Sequence, residues 1–318
     1  MKKKNKAIYL LFLMPFVYFA TACFVVWLVK TSGIYPSGSD TMYHVYRGDY
    51  VYNAIKSGNW YPLYDPAWYN GVEILRYWSP FPAYVMAFCQ YLAGGSQFGA
   101  YLFYIGGVCF LGACVWPFIG RGFNRPYMGA FIGLLWFFMP NNLCAIFIEG
   151  NLARSLSMIF LPVFIYSVYK YLYNHKLRYI PLMVFTFLLM ELCHLGYAGM
   201  VAIAVIIYGI VYMIQKGRKK AVLDVVISMI FGFMLLGIWL VASLRGGITS
   251  LDNSENMANF FQNLWITINP FERLTRGFEY FYFGFAALVV IVFGILFGYK
   301  KSRTGFVTGF IILLMTTK

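Results

Sequence analysis

Eight stretches of this chain are each long and apolar enough to cross a lipid bilayer, and that pattern constrains the fold more than any single residue. They cover residues 7–29, 98–119, 127–148, 155–173, 179–195, 197–214, 221–244 and 278–298, each near the roughly 20 residues that a hydrocarbon core demands. Within lipid, backbone N–H and C=O groups must be satisfied inside the segment, which selects helices. The expectation is an all-α, polytopic transmembrane fold with residues 1–318 forming one membrane domain. A ninth apolar run from Thr304 to Lys318 has only 15 residues, short of the roughly 17 a span requires. It predicts a chain cut off inside a span, hence a longer parent protein or a truncated reading frame.

Composition agrees. Of the 318 residues, 61% are apolar and 11% charged, against roughly 25% charged in soluble domains. Soluble enzymes, nucleic-acid readers and disordered linkers are excluded together. The opening MKKKNK and the run after it resemble a signal peptide, but the run continues to Val29, too long for a cleaved segment.

The formal charge of +14 is explained by topology. Basic clusters at MKKKNK, Arg121–Arg125, Asn174–Arg178, Gln215–Lys220 and Tyr299–Arg303 all fall on one side when the eight spans are counted. The positive-inside rule makes that side cytoplasmic and puts the N-terminus there. It then holds 16 of the 25 basic residues and one acid, Asp224. The same parity forbids residues 79–93 from crossing, so they are expected to form an interfacial or re-entrant helix on the outer face. The large outer loops are 30–78 and 245–277, and chemistry is expected there.

Four constellations could carry it. GSDTMYHVYRGDY, Gly38 to Tyr50, holds Asp40, His44 and Asp49, and a partly dehydrated carboxylate such as Asp40 suits general-base work. From Asn59 to Tyr84 the chain packs Trp60, Trp68, Trp78 and five tyrosines among Pro, Asn and Asp. Such faces stack on sugar rings, although interfacial belts also collect Trp and Tyr. IEGNLARSLSM, Ile148 to Met158, sets Glu149 and Arg154 at a helix start, where backbone donors and a guanidinium can hold an anion. ELCHLGY, Glu191 to Tyr197, places Glu191 and His194 near the end of a span, where an ionisable group is costly and functional by default. A Glu–His hydrogen bond that fixes the hairpin is the structural alternative. Arg245, directly after the seventh span, is a further phosphate partner or an interfacial anchor.

The chain contains no G-x-x-x-x-G-K-[ST], H-E-x-x-H or G-x-G-x-x-G. His44, His175 and His194 cannot meet at one zinc, because topology puts His175 on the opposite side from the other two. The six cysteines form no C-x-x-C pair and read as small core residues.

GSDTMYHVYRGDY, the aromatic run, EGNLARSL and ELCHLGY together resemble the bacterial integral-membrane family called 6-pyruvoyl-tetrahydropterin synthase-related. That family in turn resembles the GT-C glycosyltransferases, multispanning enzymes with polyprenyl-phosphate sugar donors, in layout over most of residues 1–280. Nothing resembles the soluble pterin enzyme. The resemblance implies sugar transfer at the outer face of a bacterial cytoplasmic membrane, with Asp40 as base and juxtamembrane helices such as 79–93. It makes Glu149 the second acidic position and Arg154 and Arg245 the holders of the lipid phosphate. Asp49, Glu191, His44 and His194 are further acidic or acceptor-site candidates, and Trp60, Trp68 and Trp78 the sugar-stacking surface. The implied partners are membrane lipids, a polyprenyl-phosphate sugar and a glycan or protein acceptor, with no nucleic acid. No cofactor is indicated: a divalent metal fits the family, but no D-x-D accompanies Asp40. The rival reading is a non-catalytic transporter or scaffold for lipid-linked glycans.

Overall fold

The computed structural model describes residues 2–36, 38–68, 70–245, 293–294, 296–300 and 302–315. Most of the expected span at 278–298 and nearly all of the 245–277 loop lie outside the described residues. Within them the chain is helical, with one isolated β-bridge between Asp65 and Val72.

Helix α1, Lys2–Ser32, is followed by two shorter helices, α2 (Thr41–Lys56) and α3 (Phe81–Leu92). Helix α3 occupies the stretch expected to be interfacial. Its 12 residues are too few to span, and it packs against α2 and α4. Helix α4, Gln97–Gly122, starts where the Ser96 hydroxyl caps it by accepting the Gly99 N–H at 3.0 Å. It forms a hairpin with α5, Pro126–Trp136, whose proline stands at the helix start, where its missing N–H costs nothing. The Tyr18 hydroxyl of α1 donates to the Ala130 carbonyl of α5 at 2.8 Å and ties α1 to this hairpin.

The 127–148 stretch, read from the sequence as a span, is a bent pair of helical segments. The helix stops at Trp136, restarts at Pro140–Leu143 (α6) and continues as a π-helical turn over Cys144–Ile148, with a bend of 42°. Pro140 provides the reason: its ring disfavours helical geometry at the preceding residue and it donates no backbone hydrogen bond. Helices α7 (Leu152–Asn174), α8 (Tyr179–Cys193) and α9 (Leu195–Lys216) follow. The 221–244 stretch is also broken. Helix α10, Lys219–Leu235, meets α11, Gly237–Arg245, at 61° across Leu236 and Gly237. Helix α12, Arg303–Met315, packs on α9, where the Thr304 hydroxyl donates to Gln215 Oε1 at 2.7 Å.

Four of the described helices are long and apolar enough to cross a bilayer, and six spans result if each bent pair counts as one. Helix α8, at 15 residues, extends about 22 Å, less than the roughly 30 Å hydrocarbon core.

Two buried clusters hold the bundle. One joins α1, α4, α5 and the start of α7 around Tyr18, Tyr101, Tyr104 and Trp136, and the other joins α7, α8, α9 and α10 around Phe164, Phe187, Met190 and Tyr212. A third, around Val51, Ile74 and Leu75, seats the loop after α2 on α3. The turns alternate between two ends. Those at 121–126, 174–179 and 216–219 carry Arg121, Arg125, Lys176, Arg178, Arg218 and Lys219, whereas the turn at 148–152 bonds to the N-terminus of α2 and that at 193–195 brings His194 within electrostatic reach of His44.

Candidate active site

A polar cluster forms where α2, α7 and α9 begin. Residues 38–50, read from the sequence as a loop, are helical from Thr41, with Asp40 at the N-cap. At about 100° per residue, Asp40, His44 and Arg47 share one face of α2, and Asp49 lies about 180° from Asp40. Asp49 is accordingly turned away, accepting from Gln90 Nε2 of α3 at 2.6 Å.

The Asp40 face meets the end of the π-turn. The Asp40 N–H donates to the Glu149 carbonyl at 3.0 Å, and the Ser39 hydroxyl lies 3.1 Å from that carbonyl and 3.2 Å from Asp40 Oδ1. Such proximity needs two bare backbones. A Cβ built on Gly150 would stand 2.1 Å from Thr41 Oγ1 and 3.1 Å from Gly38 Cα, and the φ of +66° there favours glycine independently.

Glu149 and Arg154, paired in the sequence reading as an anion-holding start to a helix, form an ion pair, Oε2 to Nη1 at 2.7 Å. The guanidinium is buried and the carboxylate about one-quarter exposed. Asn151 caps α7 by accepting the Arg154 N–H at 2.9 Å, and His194 caps α9 by accepting the Tyr197 N–H at Nδ1, 3.0 Å away. The two cap side chains face each other, Asn151 Nδ2 and His194 Nε2 being 3.4 Å apart. His44 adjoins this group. Burial, then the positive charge of Arg47, then His194 hold the His44 imidazole far below its ordinary 6.5, at about 3, so it is neutral.

Arg47 and Tyr43 are the residues that sequence reasoning missed. Arg47 is 1% exposed. Its Nη2 donates to the carbonyls of Trp78 and Ser79 at 3.2 and 3.4 Å, and its guanidinium lies 5.3 Å and 5.8 Å from the ring centres of Tyr43 and Trp78, within cation–π range. The i, i+4, i+7 spacing of Asp40, His44 and Arg47 was the available signal.

Tyr43 is the centre of an aromatic wall. Its ring is 4.8 Å from Trp68 and 5.1 Å from Trp78, both edge-on, and Trp68 also meets Tyr46 at 4.6 Å. Trp78 is 46% exposed and available for stacking. Trp60 is not part of the wall: it is exposed, and its carbonyl accepts from the Tyr84 hydroxyl at 2.6 Å.

Glu191 is buried, but no Glu–His hydrogen bond fixes the hairpin. His194 has left the helix for an extended conformation, and the Glu191 carbonyl accepts from the Ser79 hydroxyl at 2.9 Å. Arg245 ends α11 with its side chain exposed. That helix is tied to the first large loop, since Trp239 Nε1 donates to the Leu75 carbonyl at 2.8 Å and Arg76 Nε to the Ala242 carbonyl at 2.9 Å. His175 sits beside Arg218 in the turns at the opposite end from His44 and His194, as the topology required. Among the described residues no three His, Cys, Asp or Glu side chains gather as a metal site.

The profile of a family described as 6-pyruvoyl-tetrahydropterin synthase related domain, a membrane protein, matches residues 75–318. The match includes Glu149, Asn151, Arg154 and His194, and begins after Asp40 and His44. Neither a curated protein nor a solved structure matches the chain. The chain, helical with several bilayer-length apolar helices among its described residues and matched over three-quarters of its length, belongs to the 6-pyruvoyl-tetrahydropterin synthase-related family of membrane proteins.

Proposed function

We propose that the protein is a membrane glycosyltransferase of GT-C type, moving a sugar from a polyprenyl-phosphate donor to an acceptor at the outer face of a bacterial cytoplasmic membrane. The observation that carries this reading is the convergence of Asp40, His44, Glu149, Arg154 and His194 from three separate segments beside the Tyr43, Trp68 and Trp78 rings. A carboxylate, a cation and an aromatic face are what transfer from a lipid phosphate requires.

In this mechanism Asp40 accepts the acceptor hydroxyl's proton as that oxygen attacks the anomeric carbon. The bond from the anomeric carbon to the phosphate oxygen breaks, and its electron pair leaves with the lipid phosphate. Arg154 and Arg245 offset the developing charge through charge-assisted hydrogen bonds, each contributing about 1.5–3 kcal/mol. The sugar stacks on Trp78 and Trp68, the acceptor is a glycan or protein, and the N-terminus and the basic turns are cytoplasmic.

The test is transfer of radiolabelled sugar from a panel of polyprenyl-phosphate donors in membranes containing the protein. Wild-type transfer that Asp40→Asn abolishes at equal expression supports the reading. Undiminished turnover in that variant removes Asp40 as the base, and no transfer from any donor shifts the reading to a transporter or scaffold for lipid-linked glycans.

A further inference from the structure

Two side chains at the polar cluster present donors to each other with no acceptor between them. The Tyr197 backbone N–H can only donate, so His194 Nδ1 carries a lone pair and the proton of the neutral ring is on Nε2. Asn151 is fixed by the same logic. Its Oδ1 accepts the Arg154 N–H, which turns the amide NH2 toward the ring. The 3.4 Å contact between Asn151 Nδ2 and His194 Nε2 therefore sets N–H against N–H, and both donors need an oxygen that accepts from each.

The surroundings define that oxygen. Both side chains are partly exposed, so a ligand can reach them. The Arg154 guanidinium stands beside the imidazole, with its Nη1 on Glu149. Asp40 and Glu149 are the nearby acids, and neither accepts from Nε2 among the described residues. The Thr41 hydroxyl, buried against Gly150, has no hydrogen-bond partner among the described residues either. The caps belong to helices of 23 and 22 residues, whose N-terminal ends favour negative charge.

We infer that Asn151 and His194 form a two-donor clamp for an oxygen of a phosphate group, with Arg154 alongside. The phosphate is that of a lipid or of the free ion. The assignment to a lipid phosphate rests on the transferase reading, whereas the clamp itself does not. His194 is accordingly a donor to the anion and not a base.

The test uses the full chain in lipid nanodiscs, with decaprenyl phosphate, decaprenol and inorganic phosphate as probes. Binding is read by native mass spectrometry and stability by thermal unfolding. Two substitutions keep the helix caps, because Asn and Asp are both good N-cap residues. His194→Asn retains an acceptor for Tyr197 and removes Nε2–H. Asn151→Asp retains an acceptor for Arg154 and supplies a carboxylate that satisfies Nε2–H directly. Wild type is expected to prefer decaprenyl phosphate to decaprenol. Phosphate binding should weaken about ten- to hundredfold in either variant, with the melting temperature unchanged in His194→Asn and raised in Asn151→Asp. Decaprenyl phosphate binding that neither substitution weakens overturns the clamp and leaves the transferase reading intact. Binding of inorganic phosphate alone, lost in the variants, keeps the clamp and removes the lipid donor. No binding of either phosphate probe by wild type overturns the clamp. If Asn151→Asp fails to fold, His194→Asn decides alone.

Discussion

The Asp40 N–H and the Glu149 carbonyl, 3.0 Å apart, join two segments separated by more than a hundred residues, and this contact brings two of the sequence-read acidic positions into one cluster. It depends on Gly38 and Gly150 crossing at backbone contact. Gly150→Ala should push Thr41 away and strain a left-handed φ, at a cost of about 1–3 kcal/mol. Gly107→Ala in α4, where an added methyl meets nothing within 4 Å, is the control. Thermal unfolding in detergent should show a lowered midpoint for the first substitution only; equal midpoints would remove the close approach as a structural requirement.

Glu149→Gln should destabilise through Arg154. The guanidinium is buried, and removing its carboxylate leaves a desolvated charge. Because Glu149 is itself partly exposed, the expected cost is about 1–3 kcal/mol, with transfer activity lost as well. A midpoint within error of wild type would show that the pair adds nothing to the fold.

The pH dependence follows from His44. Its folded pKa, at about 3, lies below the unfolded 6.5. Between those values the unfolded chain binds the proton and the folded chain does not, so stability is full above pH 6.5 and is lost as pH falls toward 3. The slope contributed is at most about 1.4 kcal/mol per pH unit. His44→Gln should flatten the decline in melting temperature between pH 6.5 and 4.5, and an identical decline in both proteins would contradict a neutral His44.

The tryptophans should separate by role. Trp60→Ala, exposed and outside the wall, is expected to change stability by no more than about 0.5 kcal/mol and to leave transfer intact. Trp78→Ala removes a partly exposed ring beside Tyr43 and Arg47, and should raise the KM for the sugar donor. Equal KM values for the two variants would detach the aromatic wall from donor binding.

Much of this was legible in the sequence, and what was not has identifiable causes. Apolar run length located α1, α4, α7 and α9, because burial in lipid demands length and composition alone. Charge parity isolated residues 79–93, and α3 is a short helix there. Asp40 and His44 were recognisable as polar residues of the first outer loop, and Glu149, Arg154 and His194 as polar residues at the edges of apolar runs. Their company was not, since the Asp40–Glu149 contact is set by tertiary packing. Treating residues 38–50 as a loop hid Arg47 on the Asp40 face and kept Asp49 in a group from which the helix removes it. The breaks before Pro140 and at Leu236 were hidden because hydropathy averages over a proline or glycine and is blind to backbone direction.

The hydrogen bonds from Trp239 to the Leu75 carbonyl and from Arg76 to the Ala242 carbonyl have a consequence for biogenesis. They span 164 and 166 residues, so the loop after α2 reaches its final contacts only once α11 has left the ribosome. At about 5–20 residues per second that loop, already packed on α2 through Trp68, Trp78 and Ile74, waits roughly 10 to 30 s for these two hydrogen bonds. The latch between the first outer loop and α11 is therefore among the last contacts available to the growing chain.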